Sequence, residues 1–141
     1  MSLQTIIEEL LAATGASRAT IRLDRPGEDF PVAAEALAPG IRSIAGDLSF
    51  GIRSSGTVGH LEREQQILVQ PDIMGVQPAP SPELLERYGT RSQMLAPLVR
   101  DGSLFGIVSV HYNLGPREWT ADEVALLERA VERIHAELGT A

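Results

Sequence analysis

Ser109 and His111 close the apolar run Phe105-Gly-Ile-Val-Ser-Val-His111 two residues apart, so in an extended chain hydroxyl and imidazole project from one side. A hydroxyl and an imidazole on an otherwise apolar surface suit the floor of a small-molecule pocket. His111 can donate or accept a hydrogen bond to a ligand near neutral pH. The competing reading is a strand-end histidine bonded to a neighbouring side chain. Ser109, if buried, needs a partner, and a ligand, a water or backbone would each serve. Arg22 alternates with Ile21 and Leu23, so it points to the pocket side if those two face helices, and it is placed there to hold an anionic group. A solvated edge position is the more usual fate of such an arginine. Asp72 lies either at the pocket mouth or in a turn. Tyr88 places its ring over a ligand or packs in the core. Met94 offers a soft apolar wall in either case.

What is missing narrows the chemistry further. The chain has no cysteine, which removes thiol catalysis, zinc-thiolate sites and thioether attachment of a chromophore. Its three histidines, His60, His111 and His135, form no metal-like pair in sequence. No paired acid and base has a recognisable catalytic spacing, so a small enzyme ranks last among the readings. A formal net charge of -7 without a run of lysines or arginines argues against a nucleic-acid surface and against an anionic membrane. No apolar run approaches the roughly 20 residues of a spanning helix, and the amino terminus lacks a signal-peptide pattern. A cytoplasmic protein with a single domain over residues 1–141 is expected.

The elements that must position these residues follow from patterning. Leu3, Ile6, Ile7, Leu10 and Leu11 recur at helical spacing, with Gly15 as the stop. Ala19, Ile21 and Leu23 alternate with Arg18, Thr20 and Arg22 as in a strand, Pro26-Gly27 makes a turn, and Phe30 to Leu37 returns. Residues 38–55 read as loop. A modest helix over Gly56 to Gln66, a short strand over Ile67 to Val69 and a proline-rich loop come next. Ser81 as N-cap and Pro82 at the first position open a helix through Tyr88, stopped by Gly89. Asp101-Gly102 supplies the tight turn of a hairpin, and Thr120-Ala-Asp-Glu123 is a capping box for a last helix to about Leu138.

With a two-residue turn, Arg100 pairs Ser103, and the register carries back to Ala96 opposite Ile107 and Met94 opposite Ser109. One hairpin face then holds Met94, Ala96, Phe105, Ile107, Ser109 and His111, the expected pocket floor. The other holds Leu95, Val99, Gly106, Val108 and Val110 and awaits a helix. Val124, Leu127, Val131, Ile134 and Leu138 fall at steps of three and four, a seam that either covers the sheet or pairs with another chain. With Leu3, Ile7 and Leu10 alongside, the terminal helices are candidates for a homodimer interface.

The succession Gly15-Ala-Ser-Arg-Ala-Thr-Ile-Arg-Leu23, Val69-Gln-Pro-Asp72, Ser92-Gln-Met-Leu-Ala-Pro-Leu98, Asp101-Gly102, Phe105 to His111 and Pro116 to Glu123 resembles a GAF domain. That family is the small-molecule sensor module of phosphodiesterases, phytochromes and histidine kinases. The resemblance implies an α+β fold, GAF/PAS-like: a six-stranded antiparallel sheet, N- and C-terminal helices on one face, and loops and short helices roofing a pocket on the other. The Asn-Lys-Xn-Phe-Xn-Asp-Glu signature of cyclic-nucleotide GAF domains is absent. The cysteines of the methionine sulfoxide reductases of this fold are absent too, and Asp72-Ile73-Met74 departs from the Asp-Ile-Pro segment of phytochromes. The expected function is a non-catalytic, ligand-binding regulatory domain of signal transduction whose ligand effect passes through the terminal helices, with no cofactor identified. The alternative is a dimerisation or protein-interaction module with a vestigial pocket.

Overall fold

A computed structural model of the chain describes residues 1–140. Helix α1 (Leu3–Thr14) begins where the Ser2 hydroxyl accepts from the Thr5 amide and ends at Gly15 in the left-handed conformation. Strands β1 (Arg18–Leu23) and β2 (Val32–Leu37) follow, then α2 (Gly56–Glu64), β3 (Leu68–Gln70), α3 (Pro82–Glu86), β4 (Ser92–Arg100), β5 (Ser103–Tyr112) and α4 (Ala121–Leu138). Thr120 and Glu123 cap α4 reciprocally, as the sequence predicts. Ser81 precedes α3 but makes no capping bond; its hydroxyl donates to the Phe50 carbonyl instead.

The sheet is antiparallel with strand order β2-β1-β5-β4-β3. It has five strands rather than the six that the resemblance implied. The long segment between β2 and α2 contributes none, because Pro39 and positive-φ glycines at 40, 46 and 51 leave no run able to sustain a ladder. Helices α1 and α4 cover one sheet face. Ile6, Ile7, Leu10, Leu127 and Ile134 from the helices meet Ile21, Met94, Leu98, Val108 and Val110 from the strands in the main core. Ile7, Leu10, Leu127 and Ile134 of the expected dimer seam are thus buried within this chain. Leu3, Val124, Val131 and Leu138 are partly buried at its margin.

The hairpin register departs from the expected one. Asp101 and Gly102 adopt positive φ as the tight turn requires, and Arg100 does pair with Ser103. Beyond Val99–Leu104, however, the partner of Leu98 is Gly106, and Phe105 is the extra residue of a β-bulge. Its carbonyl accepts from the Asp24 amide at 2.8 Å, which ties the bulge to the end of β1. Gly106 can then lie against β1: a Cβ there would sit 2.6 Å from the Arg22 carbonyl oxygen and 2.8 Å from Leu98 Cδ1. A shift of one residue exchanges faces for the whole of β4 relative to β5. Met94 and Ala96 therefore lie under the helices and not on the pocket side, while Leu95 takes the opposite face. Phe105 likewise turns to the helices, edge-on to His135 at 5.7 Å between ring centroids.

Candidate functional site

On the sheet face away from α1 and α4, alternation and register assemble three cross-strand rows. Arg18, His111 and Gln93 form one, Thr20, Ser109 and Leu95 the next, and Arg22, Ile107 and Pro97 the third. Over this floor lie α2, α3 and the segment from Ile44 to Ile52. Between floor and roof is a cavity of about 50 Å³. Its floor is lined by Arg22, Gln93, Leu95, Ile107, Ser109 and His111, and its roof includes Phe50, Val58 and Leu84. Arg22, Phe50 and Ile52 also border an outer groove of about 540 Å³ between residues 27–32 and 46–48.

Electrostatically the floor is unusual in burying two guanidinium groups without an ion pair. Arg18 is fully buried: Nη1 lies 3.3 Å from His111 Nδ1 and 3.4 Å from Thr90 Oγ1, and Nη2 donates to the Arg42 carbonyl. Its guanidinium also lies 5.4 Å from the centroid of the Tyr88 ring. Arg22 is 6% exposed; its Nη1 donates to the Phe30 carbonyl at 2.8 Å, and its Nη2 is buried without a partner. Neither makes a salt bridge among the described residues. Burial lowers both pKa values, opposed for Arg18 by Glu35 and for Arg22 chiefly by Asp29. Arginine stays charged in spite of such shifts.

His111 answers to the same environment. Burial first, then the charges of Arg18 and Arg22, hold its imidazole well below the ordinary 6.5, so the ring is neutral near pH 7. Arginine can only donate, so Nδ1 accepts from Arg18 and the single ring proton sits on Nε2. The floor thus presents hydroxyl, imidazole N–H and guanidinium donors. Gln93 Nε2 donates to Gln70 Oε1 at 2.7 Å, leaving its own Oε1 as an acceptor.

Of the residues singled out from sequence, Arg22, Ile107, Ser109 and His111 line the cavity together. Met94 and Ala96 do not, for the register reason given above. Tyr88 lies beyond the cavity wall, stacked on Phe50 with ring centroids 5.4 Å apart, its hydroxyl donating to Asp47. That carboxylate also accepts from Ser49 and Arg87, and these bonds, the Ser49 hydroxyl foremost, hold it well below the usual carboxylate range. Asp72 is exposed and local: Oδ1 accepts from the Met74 amide at 3.0 Å and faces Arg91 at 3.5 Å. Arg117 and Trp119 are structural, the first paired with Glu123, the second donating from Nε1 to Ser92 Oγ at 2.9 Å.

Sequence reasoning missed Arg18, Thr20 and Gln93. The period-two pattern Arg18, Thr20, Arg22 opposite Ala19, Ile21 and Leu23 carried the signal for the first two. Gln93 was concealed by the bulge.

The sequence profile of the GAF domain matches residues 1–138. None of the curated proteins matches the chain. Among solved structures, the blue-light absorbing form of the Thermosynechococcus elongatus PixJ GAF domain is similar at 22% identity and TM-score 0.70, over 98% of this chain and 89% of that one. A phycocyanobilin-bound GAF domain from a cyanobacterial phytochrome aligns at 20% identity and TM-score 0.76, over 98% and 85%. The chromophore-binding domain of a Stigmatella aurantiaca bacteriophytochrome aligns at 20% identity and TM-score 0.78, over 99% of this chain and 53% of that one. At these identities the likeness is one of fold.

Proposed function

This chain belongs to the GAF domain family, and we propose that it is a non-catalytic sensory domain that binds a small molecule between the sheet and the α2–α3 roof. The observation that carries this reading is the cavity between sheet and roof, where apolar side chains meet hydroxyl, imidazole and guanidinium groups on the floor. Nothing in that lining pairs a nucleophile with a base, and binding alone accounts for the groups present. One neighbouring structure is phycocyanobilin-bound and another is a chromophore-binding domain, but a linear tetrapyrrole is much larger than a cavity of about 50 Å³, and no cysteine is present to attach one. A much smaller ligand suits this chain.

In this reading the ligand orders residues 38–55 over the sheet. The change then reaches α1 and α4 through β1, β4 and β5, whose opposite faces those helices cover. Such transmission requires the ligand to bind two states with different affinity. Among the described residues no helix is long and apolar enough to cross a membrane. Self-association through the helices is the second reading, supported by the partly buried Leu3, Val124, Val131 and Leu138.

Native mass spectrometry of the purified chain tests both. A mass excess lost on denaturation is the expected result for the sensor. A dimer without added mass, together with no binding in a screen of small metabolites, would overturn it in favour of the interaction module.

A further inference from the structure

The cavity lining is unbalanced in charge. Arg22 is its only charged residue among those described, and no aspartate or glutamate lines it. The acidic groups whose charge reaches Arg22 are Asp29, Glu35 and Asp47, and all three are already engaged, Glu35 by the Ser43 hydroxyl and the Ile44 amide. Asp29 accepts from the Ile52 and Arg53 amides at 2.7 Å each, and Asp47 is held by Ser49, Tyr88 and Arg87. A buried guanidinium without a counter-charge is costly, and the cost is largest where a donor finds no partner. Arg22 Nη2 is such a donor, and so is the fully buried Thr20 hydroxyl, two residues away on the same face of β1 and opposite Ser109. The carbonyl of Phe30 and the ring of Phe50, 5.4 Å away, position the Arg22 guanidinium without neutralising it.

Ile44, Ile52, Val58, Leu84, Leu95 and Ile107 supply the aliphatic wall, beside polar residues that include Ser55, Thr57 and Ser81. One cation beside an aliphatic wall matches a ligand with one anionic head and a short apolar tail. The free volume of about 50 Å³ corresponds to a few waters, so the ligand is compact. An inorganic oxyanion would match Arg22 but would leave the aliphatic walls unused.

We propose that the cavity is a site for a short aliphatic monocarboxylate, its carboxylate drawn to Arg22 and the Ser109 hydroxyl and its tail against Ile107 and Leu95. This assignment rests on the sensor reading above and names the class of ligand sensed. Carboxylate binding gives Arg22 the counter-charge it lacks, through charge-assisted hydrogen bonds.

The test uses the full chain, with butyrate, its neutral isostere butyramide and nitrate as probes at constant ionic strength. Chemical shifts of the Ile107, Leu95 and Val58 methyls and of Arg22 Nε–Hε are followed during each titration. Butyrate is expected to shift these groups saturably, with butyramide at least about tenfold weaker, the scale of a lost hydrogen bond to a charged group. Arg22→Gln should remove that preference, and Arg22→Lys should restore part of it. The comparison of butyrate with butyramide on the unaltered chain stands even if the Arg22 variants do not fold. Equal affinity for the two would overturn the carboxylate assignment while leaving a working pocket. Nitrate binding tighter than butyrate would overturn it in favour of an inorganic anion. No shift at the cavity methyls with any probe would overturn this assignment alone, the sensor reading being decided separately by the native mass spectra and the metabolite screen.

Discussion

The two faces of one sheet are built from the same strands and obey opposite rules. Toward α1 and α4, Ala19, Ile21, Met94, Ala96, Leu98, Val108 and Val110 are all buried and apolar, close-packed against the helices. Toward the α2–α3 roof, the alternate residues Arg18, Thr20, Arg22, Gln93, Ser109 and His111 are just as buried but polar, and Arg22, Gln93, Ser109 and His111 border the cavity. Burial therefore does not distinguish core from site here. The difference lies in whether a buried group has a complete set of partners, and on the second face several do not. Such groups lower stability and are retained where they serve binding.

Strand β4 allows the sharpest comparison, because Leu98 and Leu95 lie on opposite faces of it. Leu98→Ala should cost about 3 kcal/mol, in the range for a leucine fully enclosed by a packed core. Leu95→Ala should cost closer to 2 kcal/mol, since Leu95 already borders free space and lacks neighbours on that side. Urea denaturation of both variants measures the gap, and equal losses would show that the cavity face is packed as tightly as the core.

Smaller in effect is a pH dependence confined to the polar face. The native His111 imidazole titrates well below 6.5, so the unfolded chain takes up a proton near 6.5 that the native chain refuses. Its share of stability is complete above about pH 6.5 and declines as pH falls toward the native value, by up to about 1.4 kcal/mol per pH unit. Denaturation midpoints between pH 7.5 and 5.5 should show this slope, and His111→Gln should flatten it. An unchanged slope in the variant would assign the proton elsewhere.

The smallest effect has the opposite sign. Thr20 Oγ1 is buried without a partner, so the near-isosteric Thr20→Val should raise stability by about 1 kcal/mol. A loss of stability would mean that the hydroxyl is satisfied in solution.

Local chemistry was the legible part of this fold. The α4 capping box, the Asp101-Gly102 turn and the alternation in β1 each depend on neighbours in sequence, and each was read from them. The five strand segments could also be counted; only the sixth, taken from resemblance, was missing. The bulge was illegible for a physical reason. Nothing between Leu98 and Gly106 marks Phe105 as the extra residue, because the contact that requires it comes from the Arg22 carbonyl on a strand distant in sequence. Errors at Met94 and Ala96, and the omission of Gln93, all descend from that one undetected residue. Arg18 belonged to a pattern that was read. It was passed over because an arginine on a strand is ordinarily solvated, and only the packed structure reveals it enclosed beside His111.

The bulge at Phe105 also bears on how such a domain changes its preferences over generations. A point substitution in the cavity wall alters one contact and leaves the others in place. Loss of one codon at the bulge would instead re-deal β4, turning Met94 and Ala96 toward the chamber and Gln93 and Leu95 away from it. A single deletion can therefore change the wall chemistry without a substitution at any position that lines the cavity.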